Sequence, residues 1–349
     1  MQEYSLPSLL PQLLLPWYEH DRRALPWRED RDAYHIWISE IMLQQTRVEA
    51  VKGYYARFLK ELPNVEALAQ CDDEKLHKLW EGLGYYSRVR NLKKAARLLM
   101  ASYGGSFPRD YDAIRALPGI GDYTAGAICS IAFDLPTPAV DGNVLRLAAR
   151  LTDDHRSVDA ADVKREIRDA LAFIYAARAG DFTQALTELG ATLCGPNRPP
   201  DCCLCPAKAF CLGCQRGTAP SLPIRAPKRE KRREEKTVFI LSCNGSYALQ
   251  KRPARGLLAG LWQFPNVPGT LSTAEALQAL PQMGLQPREL RMELSRKHIF
   301  THIQWDMKGI YIEVTNPGGD FTWLTAEQIR AEAALPTAFR QFFEEVAYV

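Results

Sequence analysis

Residues 117–127 read Leu117-Pro118-Gly119-Ile120-Gly121-Asp122-Tyr123-Thr124-Ala125-Gly126-Ala127. Gly119 and Gly121 stand between two segments with helical spacing of apolar residues, so the pattern predicts a tight turn that opens a helix. Backbone N–H groups in such a turn can face a phosphate because no side chain intervenes. An ordinary turn between two helices would use the same residue types, so the glycines alone leave both interpretations open.

The segments around this turn predict a mostly helical region from Ala33 to Ala191, because apolar residues recur there at three- and four-residue spacing. The clearest predicted helices are Ile36–Met42, Val48–Leu62, Lys75–Leu83, Leu92–Tyr103 and Asp162–Ala176.

A different pattern starts at Thr237, where short β-branched and aromatic runs are bounded by Gly, Pro and Asn. Such runs predict strands, and they are Thr237–Ser242, Tyr247–Lys251, Leu290–Leu294, His302–Met307 and Gly309–Val314. With two helix-like stretches, Thr273–Leu280 and Thr325–Ala334, they predict a separate C-terminal α+β domain.

The segment 218–236 between the two patterns is rich in Pro, Lys, Arg and Glu and has almost no apolar residues. It cannot bury a core, which favours a solvated linker over a phosphate contact.

The chain has 349 residues, which predicts two domains, and a net charge of only +3, which by itself indicates no nucleic-acid partner. Pro11 and Pro16 interrupt the apolar N-terminal stretch, so we expect neither a secretory signal nor a membrane span. We therefore expect a cytoplasmic protein.

Six of the nine cysteines lie between Cys194 and Cys214. In a reducing compartment such clustering favours metal ligation over disulfides. The spacing Cys194-x7-Cys202-x2-Cys205-x5-Cys211 suits zinc or a [4Fe–4S] cluster, since both accept four thiolates.

Two carboxylates carry the candidate chemistry. Asp141, in Val140-Asp141-Gly142-Asn143-Val144, precedes an apolar helical run, where an Asp is also a common helix cap. Glu40 lies in Ile38-Ser39-Glu40-Ile41-Met42-Leu43-Gln44-Gln45-Thr46, an apolar setting that is unusual for a surface Glu.

Together these motifs resemble the adenine DNA glycosylases, from Pro26-Trp27-Arg28 through Trp323. The resemblance implies a mostly α helix-hairpin-helix glycosylase domain with a [4Fe–4S] module, followed by an α+β Nudix-like (MutT-like) domain. The implied catalytic domain covers 1–217, of which 33–134 is the six-helix part with the hairpin, and 1–32 with 135–217 is the iron–sulfur part. The implied recognition domain covers 237–349.

The resemblance also implies roles for individual residues. Glu40 protonates the adenine, and Asp141 stabilises the oxocarbenium ion or a covalent intermediate. Tyr123 and Asn143 order these carboxylates. Bifunctional relatives such as endonuclease III have Lys where this chain has Tyr123, so the resemblance implies a monofunctional enzyme that leaves an intact abasic site.

The implied ligands of the cluster are Cys194, Cys202, Cys205 and Cys211; the first gap is seven residues where the family usually has six, and Cys203 and Cys214 are spare. The implied adenine pocket contains Trp27, Arg28 and Gln184. The implied contacts with double-stranded DNA and the lesion are Gln44, Gln45, Thr46, Leu83, Tyr85, Gly119 and Gly121; the ordinary alternative for Leu83 and Tyr85 is core. Arg88 belongs to a basic, helically spaced set that suits contact with a phosphate backbone, although a solvated helix face would look similar; the other members are Arg90, Lys93, Lys94 and Arg97.

Phe300-Thr301-His302 lies where the family has Phe-Ser-His, so the resemblance implies recognition of 8-oxoguanine opposite the adenine, in A:8-oxoguanine or A:G mispairs. Segment 267–286 contains a single Glu, Glu275, which argues against nucleotide hydrolysis by the C-terminal domain. A bifunctional glycosylase/lyase, a non-catalytic iron–sulfur DNA-binding protein and a Nudix hydrolase remain the competing hypotheses. We expect a monomer.

Overall fold

The computed structural model describes residues 4–175, 177–196, 198–227 and 230–347. The chain forms two compact units, one of Met1–Gln70 with Asn91–Pro227 and the other of Cys71–Arg90 with Lys228–Val349. Ala176, Lys228 and Arg229, which belong to predicted segments, lie outside the described residues. No helix among the described residues is both long and apolar enough to cross a bilayer.

The helical prediction for the first half of the chain is confirmed. The helices are α1 (Leu10–Asp21), α2 (Ala33–Leu43), α3 (Val48–Glu61), α4 (Val65–Gln70), α5 (Asp73–Leu79), α6 (Ser87–Tyr103), α7 (Tyr111–Arg115), α8 (Asp122–Phe133), α9 (Gly142–Thr152), α10 (Ala161–Ile174), α11 (Ala179–Ala191) and α12 (Leu212–Gln215). Short 3-10 turns occupy Pro26–Arg28, Cys202–Leu204, Lys208–Phe210 and Ala219–Ser221. One core joins α1, α9, α10 and α11, whose buried faces include Leu10, Val144, Ile167 and Phe182.

The predicted turn at 117–121 joins α7 to α8. Gly119 has φ +80°, a conformation that favours glycine, and a Cβ there would stand 2.6 Å from the Cβ of Asn91. Gly121 is the exposed N-cap of α8, and no side chain of the described residues makes a cap hydrogen bond to the N–H groups that begin the helix.

Gly126 in α8 permits a close backbone approach. A Cβ at this position would lie 2.3 Å from the carbonyl oxygen of Pro138. The extended segment that leads to Asp141 can therefore pack directly against α8. This approach places the start of α9 beside the first turn of α8.

The second unit contains a mixed sheet. Its strands are β1 (Arg232–Cys243), β2 (Ser246–Lys251), β3 (Trp262–Gln263), β4 (Asn266–Pro268), β5 (Pro287–Ile299), β6 (Ile303–Val314) and β7 (Thr322–Thr325). The order is β3-β2-β1-β6-β5, with β4 paired to β1 and β7 paired to β2. Strands β1 and β6 are parallel, whereas β5 and β6 are antiparallel. Helices α13 (Thr273–Ala279), α14 (Ala326–Ala331) and α15 (Thr337–Val346) complete the predicted α+β domain.

Two boundaries in this unit differ from the sequence prediction. Strand β1 begins at Arg232, inside the predicted linker, because the backbone of this charged segment pairs with Ile303 and its neighbours on β6. Strand β6 runs through Gly309 without a break, where a Cβ would stand 2.5 Å from the ring of Phe342. The glycine therefore makes room for a ring and does not end the strand.

The segment Cys71–Arg90 groups with the C-terminal unit, although the sequence placed it within the six-helix part. Lys78 donates hydrogen bonds to the carbonyl oxygens of Ile329 and Ala333, at 3.3 Å each. Trp262 Nε1 donates to the Glu74 carboxylate at 2.9 Å. These bonds span more than 180 residues of sequence, so local periodicity could not reveal them.

Candidate active site

A cavity of about 510 Å³ in the first unit gathers the residues that the sequence singled out for catalysis and adenine binding. Its walls come from the turn at Pro26–Arg28 and from α2, α8, α9 and α11. The predicted residues that line it are Trp27, Arg28, Glu40, Gln44, Gln45, Thr46, Tyr123, Asp141, Asn143 and Gln184. A cavity of this size with a few convergent polar groups has the properties of a small-molecule or base site.

Asp141 is the N-cap of α9, as its sequence position also allowed. Its Oδ1 accepts hydrogen bonds from the N–H groups of Asn143 (2.9 Å) and Val144 (2.8 Å), and its Oδ2 accepts one from Asn143 Nδ2 (2.7 Å). Burial raises the pKa of Asp141, while these hydrogen bonds and the Arg146 charge oppose the rise because they stabilise the carboxylate. Arg146 also donates to Asn143 Oδ1 at 2.8 Å, which fixes the orientation of that amide. The cap thus aims an acceptor-rich carboxylate into the cavity.

Glu40 lies in the last turns of α2 and is half-buried against the cavity. Burial raises its pKa to about 7, and the nearby Asp141 carboxylate adds to the rise; a hydrogen bond from the Tyr123 hydroxyl and the charge of Arg28 oppose it. Burial also raises the pKa of Tyr123, so its hydroxyl keeps its proton. Glu40 can therefore hold a proton near neutral pH, which suits a general acid.

Trp27 and Arg28 follow Pro26 in a single 3-10 turn. Trp27 is buried and meets Tyr55 edge to face at 5.6 Å. The Arg28 guanidinium lies over the ring of Tyr18, 5.5 Å from its centroid. Gln184 reaches the same cavity from α11. The wall thus combines a flat apolar surface with hydrogen-bond donors and acceptors, the combination that a purine requires.

Gln44, Gln45 and Thr46 follow the end of α2 at the edge of this cavity. Gln45 is exposed and has φ 60°, a left-handed conformation that is uncommon for a residue with a side chain. Gln44 Nε2 lies 3.5 Å from Thr124 Oγ1 in α8. A strained, exposed amide at a pocket rim is consistent with the predicted DNA contact.

The cysteines of the candidate metal centre surround a second, smaller cavity of about 20 Å³. Cys194, Cys202, Cys205 and Cys211 line it, together with Cys214, whereas Cys203 is exposed and does not. Burial and the neighbouring thiols together raise the pKa of Cys205 to about 12. Arg150 Nη1 lies 3.2 Å from Cys194 Sγ and supplies a compensating positive charge.

No group of three or more His, Cys, Asp or Glu side chains within the described ranges is arranged to bind a single metal ion. Four cysteine thiols around one cavity are a donor set that a [4Fe–4S] cluster can use.

A third cavity, of about 390 Å³, lies within the second unit. Tyr85, Phe300, Thr301 and His302 all line it, so the structure brings together residues that are far apart in sequence. Thr301 Oγ1 and Tyr85 Oη are 3.3 Å apart, within hydrogen-bond distance. Tyr85 is exposed, with φ 47°, and is not the ordinary core residue that the sequence left open.

The loop Phe300-Thr301-His302 is the turn between β5 and β6, closed by a hydrogen bond from Phe300 N to Ile303 O (2.8 Å). Thr301 and His302 are exposed at its tip. Phe300 is half-buried and packs edge to face on Trp305 at 4.8 Å and on His298 at 4.5 Å. In this conformation Phe300 anchors the loop, while the polar pair faces outward.

Arg88 lies in different surroundings from those that the sequence suggested, whereas Leu83 takes the core alternative. Arg88 is buried; its Nη2 donates to the carbonyl oxygens of Leu83 (3.1 Å) and Gly84 (3.2 Å). It therefore braces the loop that carries Tyr85, and it does not lie on an exposed basic helix face. Leu83 is buried too, as core. Helical spacing of cations cannot distinguish an exposed face from a guanidinium folded back onto its own loop.

Glu275 has a structural role. It closes a capping box with Ser272 at the start of α13, which satisfies the backbone of that helix. A Nudix hydrolase would need several metal-binding carboxylates in this segment. It contains only that of Glu275, which is already hydrogen-bonded to Ser272.

Sequence reasoning missed three residues of these sites. Arg23 lines the first cavity, and Glu188, buried in α11, holds both Arg23 and Arg28. Cys214 lines the cysteine cavity although it was left as spare. A Glu two residues after an apolar pair in an amphipathic helix gives no local signal of its partners, so only the tertiary structure reveals Glu188.

Comparisons with known proteins show which families this chain resembles. Residues 38–172 match the model of the HhH-GPD superfamily base excision DNA repair proteins, and residues 237–345 match the NUDIX domain model. A solved thermostable thymine-DNA glycosylase is 27% identical and covers 60% of this chain and 96% of its own, with a TM-score of 0.53. An endonuclease III–DNA complex, 24% identical over 61% of this chain and 98% of that one, has the same fold with a TM-score of 0.50. The fold and the pocket define a helix-hairpin-helix protein of base excision DNA repair.

Three curated relatives narrow the assignment. The adenine DNA glycosylase of Rattus norvegicus is 35% identical over 95% of this chain and 76% of its own length. That of Homo sapiens is 35% identical over 95% of this chain and 72% of its own length. That of Buchnera aphidicola (strain Bp) is 33% identical over 86% of this chain and 85% of its own length. The chain belongs to the adenine DNA glycosylase family.

Proposed function

We propose that this enzyme hydrolyses the N-glycosidic bond of adenine mispaired with 8-oxoguanine or guanine in double-stranded DNA, and leaves an intact abasic site. The observation that carries the proposal is the pair of carboxylates in one cavity, Glu40 with a pKa raised to about 7 and Asp141 held by three hydrogen bonds. Two carboxylates in different environments can act as acid and as anion in one reaction.

The reaction starts when the adenine is extruded from the duplex into the cavity, between Trp27 and the polar groups of Arg28 and Gln184. Glu40 donates its proton to N7 of the base, so that adenine leaves as a neutral molecule when the bond from C1′ to N9 breaks. Asp141 stabilises the oxocarbenium ion, by its charge or by a transient bond to C1′. Water then adds to C1′, and its proton returns to the Glu40 carboxylate.

Tyr123 makes strand cleavage unavailable to this enzyme. A lyase needs an amine that forms a Schiff base with the sugar, and the phenol of Tyr123 cannot form one. Tyr123 instead donates its hydrogen bond to Glu40, and Asn143 holds Asp141. Both are positioning residues for the two carboxylates.

The proposed cofactor is a [4Fe–4S] cluster held by Cys194, Cys202, Cys205 and Cys211, which line one cavity. When bound, the cluster supplies a rigid cross-link through four thiolates and takes no part in breaking the glycosidic bond. Arg150 contributes a cation next to Cys194 that offsets the thiolate charge.

The proposed contacts with DNA are of two kinds. The exposed N–H groups at Gly119 and Gly121 would meet a phosphate, while Gln45 and Tyr85 would enter the duplex. Thr301 and His302 would recognise the 8-oxoguanine by hydrogen bonds from the turn of the β5–β6 hairpin. Action as a monomer in the cytoplasm, on nucleoid DNA, stays a prediction of the sequence.

The test is incubation with four duplexes in which adenine stands opposite 8-oxoguanine, guanine, cytosine or thymine, each analysed with and without alkali. We expect cleavage of the first two only, and only after alkali, with little covalent adduct on borohydride treatment. Cleavage without alkali, or strong borohydride trapping, would favour the bifunctional alternative. Binding to DNA without any release of adenine would favour a non-catalytic iron–sulfur protein.

A further inference from the structure

Glu188 is an ionisable residue with no exposed surface, located directly behind the wall of the adenine cavity. It lies on α11 one helical turn after Gln184, which lines the cavity. Residues four apart share a helix face, so Glu188 lies next to the part of α11 that lines the cavity through Gln184 and Thr187. A buried carboxylate is costly unless it is paired, and its partners therefore indicate its role.

Two arginines pair with this carboxylate. Arg23 binds it in a bidentate manner, with Nε to Oε1 at 2.7 Å and Nη2 to Oε2 at 2.8 Å, and its backbone N–H also donates to Oε1 at 3.1 Å. Arg28 Nη2 donates to Oε2 at 2.8 Å. Burial alone would raise the pKa of Glu188, but the hydrogen bonds from Arg23 and Arg28 outweigh it and lower the pKa to about 2. Glu188 is thus an anion at every pH at which the enzyme works.

Both arginines also line the cavity that contains Glu40. The charge of Arg28 lowers the pKa of Glu40, against the effects of burial and of Asp141. The Tyr123 hydroxyl also faces Glu40. Tyr18 of α1 stands near Arg28, and Glu49 of α3 stands near Arg23. The arginine pair and Glu188 carry one net positive charge, where two arginines alone would carry two.

We propose that Glu188 is a positioning residue for adenine excision, which fixes the Arg28 guanidinium at the cavity wall and offsets its charge so that Glu40 keeps its proton. The role rests on the proposed function, because it acts through the catalytic acid of that reaction. A carboxylate that served only to hold the segment after α1 against α11 would make the same ion pairs, but its replacement would not move the titration of Glu40.

The two explanations differ in the pH dependence of adenine release. Glu188→Gln leaves a side chain of the same size but raises the local charge from one net positive charge to two, which stabilises ionised Glu40. The alkaline limb of the profile should move to lower pH by about half a unit to one unit, so that the rate on that limb falls about three- to tenfold. Arg23→Gln lowers the local charge to zero, and its limb should move to higher pH.

The matched control is Asp181→Asn. Asp181 is another buried carboxylate on α11, paired with Arg31 at 3.0 Å and Arg178 at 2.9 Å, but it does not line the cavity. Its loss should lower the melting temperature without moving the alkaline limb. Rates are measured in single-turnover reactions with excess enzyme from about pH 6 to about pH 9, so that affinity for DNA does not enter.

Opposite displacements of the limb in Glu188→Gln and Arg23→Gln support the proposal. Limbs identical to that of the parental enzyme in both variants would overturn it, whatever happens to the maximal rate. If Glu188→Gln does not fold, the alkaline limb of Arg23→Gln decides alone. A shift of that limb to higher pH supports the proposal, and an unchanged limb overturns it. A parental enzyme that releases no adenine would instead contradict the proposed function.

Discussion

The hydroxyl group of Tyr123 faces the carboxylate of Glu40 in the cavity of about 510 Å³, and hydrogen bonding from this hydroxyl lowers the pKa of Glu40. This bond favours the ionised carboxylate, so it holds the pKa of Glu40 below the value that burial alone would produce. Tyr123→Phe removes the bond and keeps the ring. The pKa of Glu40 should then rise, and the alkaline limb of the rate profile should move to higher pH. A limb at lower pH in single-turnover reactions would show that the hydroxyl does not stabilise the carboxylate.

Glu40 should make the folded enzyme less stable as pH rises. Its pKa is raised to about 7 when folded, from an ordinary value of 4.5, so the folded state binds more protons between these pH values. The stabilisation is complete below the lower value and is lost as pH rises through the upper one. Because Glu40 is only half-buried, solvent screens its charge, and Glu40→Gln should gain only about 1 kcal/mol at alkaline pH, or roughly 2–4 °C in melting temperature.

Thermal denaturation of the parental enzyme and Glu40→Gln, at about pH 5 and about pH 8, measures this effect. The two melting temperatures should be close at the lower pH and should separate at the higher one. An equal difference at both pH values would mean that the ionisation of Glu40 is not its cause.

The proposed [4Fe–4S] cluster can be tested by replacing single cysteines of the cysteine cavity. Cys202 and Cys214 both line it and the adjacent Cys203 does not, yet the family spacing selects only Cys202. Cys202→Ser should lose iron and labile sulfide and the visible absorption of the purified protein. Cys203→Ser and Cys214→Ser should keep all three. Loss of iron from Cys214→Ser together with its retention in Cys202→Ser would reassign the fourth ligand.

Thr301 should contribute to discrimination between 8-oxoguanine and guanine opposite adenine. Its hydroxyl lies at an exposed hairpin tip, 3.3 Å from Tyr85 Oη. Thr301→Val keeps the shape and removes the hydroxyl, so the preference for 8-oxoguanine should fall about two- to tenfold, the usual value of one hydrogen bond. Thr301→Ser, which keeps the hydroxyl, is the control. An unchanged preference in Thr301→Val would assign the recognition to other groups.

The turn at 117–121, the place of Glu40 in an apolar helix and the place of Asp141 at the start of a helix could be predicted, because each depends on only a few neighbouring residues. Glycine at a forced backbone conformation and a carboxylate in an apolar helix are visible in a few residues of sequence. The convergence of Trp27, Glu40 and Asp141 on one cavity required the family resemblance, since no periodicity relates them.

The features that the sequence did not predict correctly depend on the folded structure and mostly on contacts between distant segments. Arg88 folds back onto the carbonyl oxygens of its own loop, and β1 extends into a charged segment because β6 offers it a backbone partner. Glu188 looks like any polar residue of an amphipathic helix, although Arg23 and Arg28 meet it from 165 and 160 residues away. Such pairs are decided by packing, which composition and spacing do not record.

In the proposed mechanism Glu40, protonated near neutral pH, is the acid that expels adenine, and Asp141 stabilises the cation that remains. This mechanism is tested by the pH–rate profile of adenine release from an A:8-oxoguanine duplex by the parental enzyme, Glu40→Gln and Asp141→Asn, with excess enzyme. The parental rate should fall about tenfold per pH unit above about pH 7, and both variants should be slower by about two to four orders of magnitude, Glu40→Gln without that alkaline limb. Adenine release by Glu40→Gln at the parental rate, or with the parental alkaline limb, would contradict the account.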